Sequence, residues 1–186
     1  MQLPFRQRHL NWPPLAAAKE SRIMMTSTMI APTASIEITD PRQRLAFIPE
    51  LFFTPQGDQL VASWLQVHSQ YEGGFWRYFA VPRGISGRID GWTEDCITRP
   101  TGYLVPPEGV YHVTMPGNYF DAEVSAEATG IIATLMCLNR LNWQVFEMGP
   151  EMARVCQGLV DRQDALKDYI SIIKHPERDL IYRAID

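Results

Sequence analysis

The run from Gly117 to Ile132, Gly-Asn-Tyr-Phe-Asp-Ala-Glu-Val-Ser-Ala-Glu-Ala-Thr-Gly-Ile-Ile, constrains this chain more than any other stretch. Gly117 and Asn118 supply turn chemistry, and Tyr119, Phe120 and Val124 suit a half-buried strand. Ser125 stands where a helix opens, with a hydroxyl able to accept from a free backbone N–H of the first turn. Glu127 places a negative charge where the helix dipole favours one. The reciprocal half of a capping box is missing, because Ala128 occupies the position of its glutamate. Behind the cap, Ile131, Ile132, Leu135, Met136 and Leu138 give a wide apolar face, so this helix is expected at the centre of the fold. Gly130 within it costs about 1 kcal/mol of helix propensity against Ala, which points to close approach of another element.

The remaining segments supply what such a helix packs against. Asp40-Pro41 reads as an N-cap with a first-turn proline, opening a short helix that Pro49 stops, with a hydrophobic connector from Leu51 to Pro55. Gly57 to Gln70 reads as an amphipathic helix, with Leu60, Trp64 and Val67 on one face and Val61, Leu65 and His68 beside it. His68 suits a surface or capping role there. Tyr71-Glu-Gly-Gly is a turn into Phe75–Val81, whose aromatic residues on both faces suit an inner strand. Strands over 75–81, 102–105, 110–115 and 119–124, joined by short turns, are expected as antiparallel neighbours in one sheet. A long helix follows Gly149-Pro150, His175-Pro176 ends it, and Glu177 to Ile185 makes a last short helix. The expected fold class is α+β: a small antiparallel sheet packed with several helices in a single domain.

The 186 residues, 46% hydrophobic and 20% charged, suffice for one such core, and no apolar run approaches the length of a membrane span. Cys96, Cys137 and Cys156 are odd in number and form no CxxC, which disfavours a disulfide framework and suits a reducing cytoplasm. Cys137 and Cys156 fall in helical patterns and are expected to pack rather than react. Residues 1–39 are expected as a disordered N-terminal extension, with the natural start at Met24 or Met25, ahead of a domain over 40–186. The extension's first 23 residues hold four basic and one acidic residue, which leaves −7 for the rest of a chain of net charge −4. That balance disfavours binding driven by phosphate neutralisation, and it is too weak for mimicry of DNA by charge.

Residues Pro82 to Pro100 carry Arg83, Arg88 and Arg99 and several glycines, and are expected as a solvated loop. The best catalytic constellation is Asp121, Glu123 and Glu127 with His112, since paired carboxylates perform acid–base work when burial drives their pKa values apart. Against it, Asp121 and Glu123 share one strand face, as solvent-facing residues of a half-buried strand do, and Glu127 already serves the helix dipole. There is no HExxH, GxSxG, Walker or dinucleotide fingerprint, so no cofactor and no metal is expected.

Three stretches carry a resemblance. Asn118-Tyr-Phe-Asp-Ala-Glu-Val-Ser-Ala-Glu-Ala-Thr-Gly-Ile131, Tyr71-Glu-Gly-Gly-Phe-Trp-Arg-Tyr-Phe79, and His175-Pro-Glu with Ile181-Tyr-Arg-Ala-Ile-Asp186 resemble, in order, the signatures of the ArdB/KlcA antirestriction proteins. The chain departs from that pattern over 82–100, an apparent insertion of about a dozen residues, and over Leu138–Asn142, where related proteins carry histidines. The resemblance implies a protein of plasmids, phages or integrated elements that reduces restriction of incoming DNA by type I restriction-modification systems. It implies contact with a protein partner, either that machinery or a host factor controlling it, without strong direct DNA binding. The alternative is a hydrolase or other enzyme built on Asp121, Glu123 and Glu127. The candidate functional surface is Arg83, Arg88, Arg99, Asn118, Asp121, Glu123 and Glu127.

Overall fold

A computed structural model describes residues 35–89 and 94–186. In chain order the elements are β1 (Ile36–Glu37), α1 (Pro41–Phe52), α2 (Gly57–His68), β2 (Arg77–Val81), β3 (Ser86–Arg88), β4 (Glu94–Cys96), β5 (Thr101–Val105), β6 (Val110–Met115), β7 (Phe120–Ser125), α3 (Ala126–Glu147), α4 (Ala153–Ile172) and α5 (Arg178–Ile185), with a 3-10 turn at Pro150–Met152. The fold is α+β, small antiparallel sheets packed with helices, as the sequence implies.

The central helix is α3. Its buried positions run from Ala126 through Leu138, and α4, β5, α2 and α5 all pack on it. The expected strands are present, but they divide into separate sheets, β1-β2-β5 and β6-β7, rather than forming one. The reason lies at Leu104. In its antiparallel pairing with Tyr78, Leu104 sits where the backbone N–H and C=O point away from β2, since Tyr78 spends its carbonyl on Ile38 of the β1 side. There α3 takes the place of a fourth strand: Thr134 Oγ1 accepts from Leu104 N–H at 3.3 Å. A Cβ on Gly130 would stand 2.0 Å from the Leu104 carbonyl oxygen, so only glycine lets the helix lie this close to β5. The helix thereby covers an edge that would otherwise be free to pair.

The free edge of β6 is covered by the end of α2. His68 donates through Nδ1 to the Thr114 carbonyl at 2.9 Å and stacks on Trp64, and Gln70 Oε1 accepts from His112 N–H at 2.9 Å. The buried face of α2 is Val61, Trp64 and Leu65, while Val67 is exposed, so the apolar stripe is rotated from the one expected.

Four further expectations are corrected. Helix α1 continues through Pro49 to Phe52, because Phe47, Ile48, Leu51 and Phe52 are buried together and that burial outweighs the lost backbone bond. The last residues of the expected lead-in, Ile36 and Glu37, pair with β2 as an edge strand, and Arg77 holds Glu37 at 2.9 Å. Residues 1–34 lie outside the described residues. The stretch expected as a solvated loop contains the β3–β4 hairpin, closed by buried Ile85 and Ile97 and laid on α4 with Gly87 against Ile172. Phe75 and Tyr119, placed in strands by the sequence pattern, are exposed, and Tyr119 takes a left-handed turn conformation with φ 57°.

Candidate functional site

The polar groups of the signature stretches converge where α3 begins and the α4–α5 turn passes. Ser125 caps α3 by accepting from Ala128 N–H at 3.2 Å. The glutamate absent from position 128 is replaced from elsewhere in the chain: Glu177 Oε1 accepts from Ser125 N–H at 2.9 Å and its Oε2 accepts from the Ser125 hydroxyl. The orphan donors of the helix start are thus satisfied by a residue of the His-Pro-Glu turn. Two residues on, Glu127 Oε1 accepts from the hydroxyl of fully buried Tyr103 at 2.6 Å, and Glu127 Oε2 lies 3.9 Å from His175 Nε2. The Ser35 hydroxyl meets Tyr103 at 2.7 Å, and Ser35 N–H donates to the Tyr169 hydroxyl at 2.9 Å.

The protonation states follow from these contacts. Burial, then the hydrogen bond to Glu127, hold the Tyr103 hydroxyl protonated well above the usual phenol range. Burial pushes the His175 imidazole below its ordinary value, partly offset by the Glu127 and Glu177 carboxylates. Glu177 N–H donates to His175 Nδ1 at 3.1 Å, so the hydrogen-bond network assigns the neutral ring its proton on Nε2, facing Glu127. At 3.9 Å that approach is longer than a hydrogen bond. The arrangement holds helix start and turn together.

The constellation read from sequence is divided. Asp121 bonds His112 across the β6–β7 ribbon, and Glu123 stands directly opposite His112 in register. Both acids face solvent, between buried Phe120 and Val124, whereas Glu127 belongs to the buried tyrosine and histidine. Among the described residues no group of three or more His, Cys, Asp or Glu side chains is placed to hold a metal ion. Asn118 is spent on the fold: its Oδ1 accepts from Phe120 N–H at 3.1 Å and its Nδ2 donates to the Ala184 carbonyl at 2.7 Å. Arg99 pairs with Asp161 of α4. Arg83 is exposed at the entry to the hairpin, and Arg88, at the end of β3, lies beside Lys174 and Arg178. Arg99 and Arg88 therefore lie at different places along α4, one beside Asp161 and the other beside Lys174 past the helix end. Cys137 is buried, its thiol pushed up to about 12, which makes it a packing residue.

Nothing in local spacing marks Tyr103, Tyr169 or Ser35, since their partners lie far along the chain. The His-Pro-Glu stretch is legible in sequence as a resemblance, whereas its contact to Ser125 is not.

This geometry defines an α+β domain in which Ser125, Glu127, His175 and Glu177 act as a clamp between the central helix and the C-terminal turn. Residues 90–186 match the family model described as Antirestriction protein. Two KlcA antirestriction proteins of Escherichia coli are similar, one 31% identical over 150 residues, covering 77% of this chain and 89% of the relative, the other 32% identical over 152 residues, covering 77% and 87%. A solved structure from work on KlcA and ArdB, which reported a novel fold and antirestriction activity against type I DNA restriction systems in vivo but not in vitro, superposes with a TM-score of 0.61. It is 29% identical, and the match covers 88% of this chain and 100% of that one. The chain belongs to the antirestriction protein family.

Proposed function

We propose that this protein reduces restriction of incoming mobile-element DNA by type I restriction-modification systems, and that it does so in the cytoplasm by contacting protein rather than as an enzyme or a DNA ligand. Activity of KlcA and ArdB in vivo but not in vitro supports a requirement for a further cellular component. The partner is then the restriction machinery or a host factor controlling it.

The observation that carries the contact reading is the exposed aromatic end of α3. Trp143, Phe146 and Met148 are 62%, 67% and 61% exposed, with the two rings edge to face at 6.3 Å. Phe146 also lines a groove of about 540 Å3 between α3 and α4, together with Pro150, Ala153 and Val160. Asn142 also lines it, and its Oδ1 is buried without a hydrogen-bond partner. Exposed aromatic residues beside an unsatisfied acceptor are what a protein interface uses.

The test is a paired substitution, Trp143→Ser with Phe146→Ser, in the full chain. It is expected to keep the thermal transition and lose protection of unmodified DNA in cells. Purified wild type is expected to show little affinity for duplex DNA at physiological salt. Full protection by the variant, or a DNA affinity that falls steeply with added salt, would contradict the reading.

A further inference from the structure

Helix α3 outruns its packing. From Ala128 to Leu138 every position is buried or half-buried, whereas from Asn139 to Glu147 only Val145 is buried. One stripe of this protruding end follows helical spacing: Met136, Arg140, Trp143 and Glu147, at steps of four, three and four residues. Met136 is half-buried and the other three are exposed. Phe146 and Asn142, with the groove toward α4, lie to one side of the stripe.

The two charges on the stripe lack partners. Among the described residues neither Arg140 nor Glu147 forms an ion pair, and the two stand two helical turns, about 10 Å, apart. Glu147 is placed unfavourably as well. It closes the helix, where the carbonyl end of the dipole disfavours a carboxylate, and the last turn of α3 holds no basic residue to offset it. Between the two charges Trp143 keeps 62% of its surface exposed.

We infer that the protein forms a twofold-symmetric homodimer, with this stripe of α3 laid antiparallel against the same stripe of a second copy. A twofold contact has to be self-complementary, and this stripe is. The midpoint between Arg140 and Glu147 falls beside Trp143. An axis through that point sets each Arg140 opposite the second copy's Glu147 and brings the two indoles together between the ion pairs. A parallel arrangement would set arginine against arginine and glutamate against glutamate. The antiparallel one delivers a cation to each helix end that needs it, around an aromatic centre of the kind protein interfaces use. A contact of two to three helical turns is small, so association is expected at roughly tens to hundreds of micromolar. The Phe146 flank and groove of each copy stay open, so the dimer carries two equivalent sites for the partner proposed above. Self-association and contact with that partner share a helix end but can fail separately, because the first is read from mass and the second from phage survival.

The experiment is sedimentation equilibrium of the full chain at low ionic strength, from about 10 μM to about 1 mM. Wild type is expected to pass from one chain mass to two. Arg140→Glu and Glu147→Arg each set like charges against one another at both ends, and each is expected to weaken the dimer about ten-fold or more. An equimolar mixture of the two variants is expected to recover wild-type affinity, since every Arg–Glu position then again joins opposite charges. Recovery in the mixture also shows that the single variants are folded. Wild type that remains a single chain at about 1 mM overturns the proposal. Single variants that associate as tightly as wild type overturn it, as does a mixture that associates no better than its components. Growth beyond two chains would reveal an open-ended contact and also overturns it.

Discussion

Glu177 performs, from 52 positions away, the task that a glutamate at position 128 would perform within a capping box. Removing it leaves the Ser125 N–H and hydroxyl without their acceptor in a part-buried place. Glu177→Ala is therefore expected to lower stability by about 1–3 kcal/mol, whereas Glu177→Gln, which keeps an acceptor, recovers much of the loss; chemical denaturation measures both. His175 gives a pH signature. Its imidazole is held below the ordinary 6.5, so below that pH the unfolded chain binds the proton more readily than the folded one. Stability is then fully present above the unfolded value and is lost as pH falls from about 6.5 toward the folded value. His175→Asn keeps an acceptor for Glu177 N–H and cannot titrate. The stability difference between wild type and this variant is expected to change over that window and to be flat above it; a flat difference throughout would show that the ring is not held neutral.

At the scale of elements, the chain's own code reads well where a signal is local. The Asp40 cap, the Ser125 cap, the Gly117-Asn118 turn and the end of α4 at His175-Pro176 all stand where their residues imply. Signals that depend on distant partners are not readable in this way. Pro49 reads as a stop only until the burial of Leu51 and Phe52 is known. The hairpin within 82–100 looks like a loop because its strands are three residues each and few apolar residues, Ile85 and Ile97 among them, anchor it to the core. The division of the strands into separate sheets rests on α3 lying along β5, and Gly130 is the local mark of it. Gly130→Ala places a methyl against the Leu104 carbonyl. Overpacking of this kind typically costs about 1–3 kcal/mol, more than the ~1 kcal/mol of helix propensity that Ala contributes, so the variant is expected to melt lower than wild type. An unchanged or raised melting temperature would mean that the helix can move away from β5 at no cost.

At the scale of the whole molecule, two of the three family stretches meet at one place. Asn118 reaches the carbonyls of α5, Ser125 holds Glu177, and Glu127 approaches His175. Of these residues only Glu127 belongs to the catalytic constellation that the sequence offers; in three dimensions all of them tie the central helix to the C-terminal segment. The acidic pair Asp121 and Glu123 lies outside that clamp, on the solvent face of the β6–β7 ribbon, and is not part of the working surface in this account. One measurement tests this most directly: survival of unmodified phage on a host with an active type I system, with the chain expressed as wild type or as Asp121→Asn with Glu123→Gln. The account predicts that both proteins raise survival to the same degree over a host without the chain. Protection by wild type that disappears in the carboxylate variant, with its thermal transition intact, would contradict it, and so would a wild type that protects against no type I system.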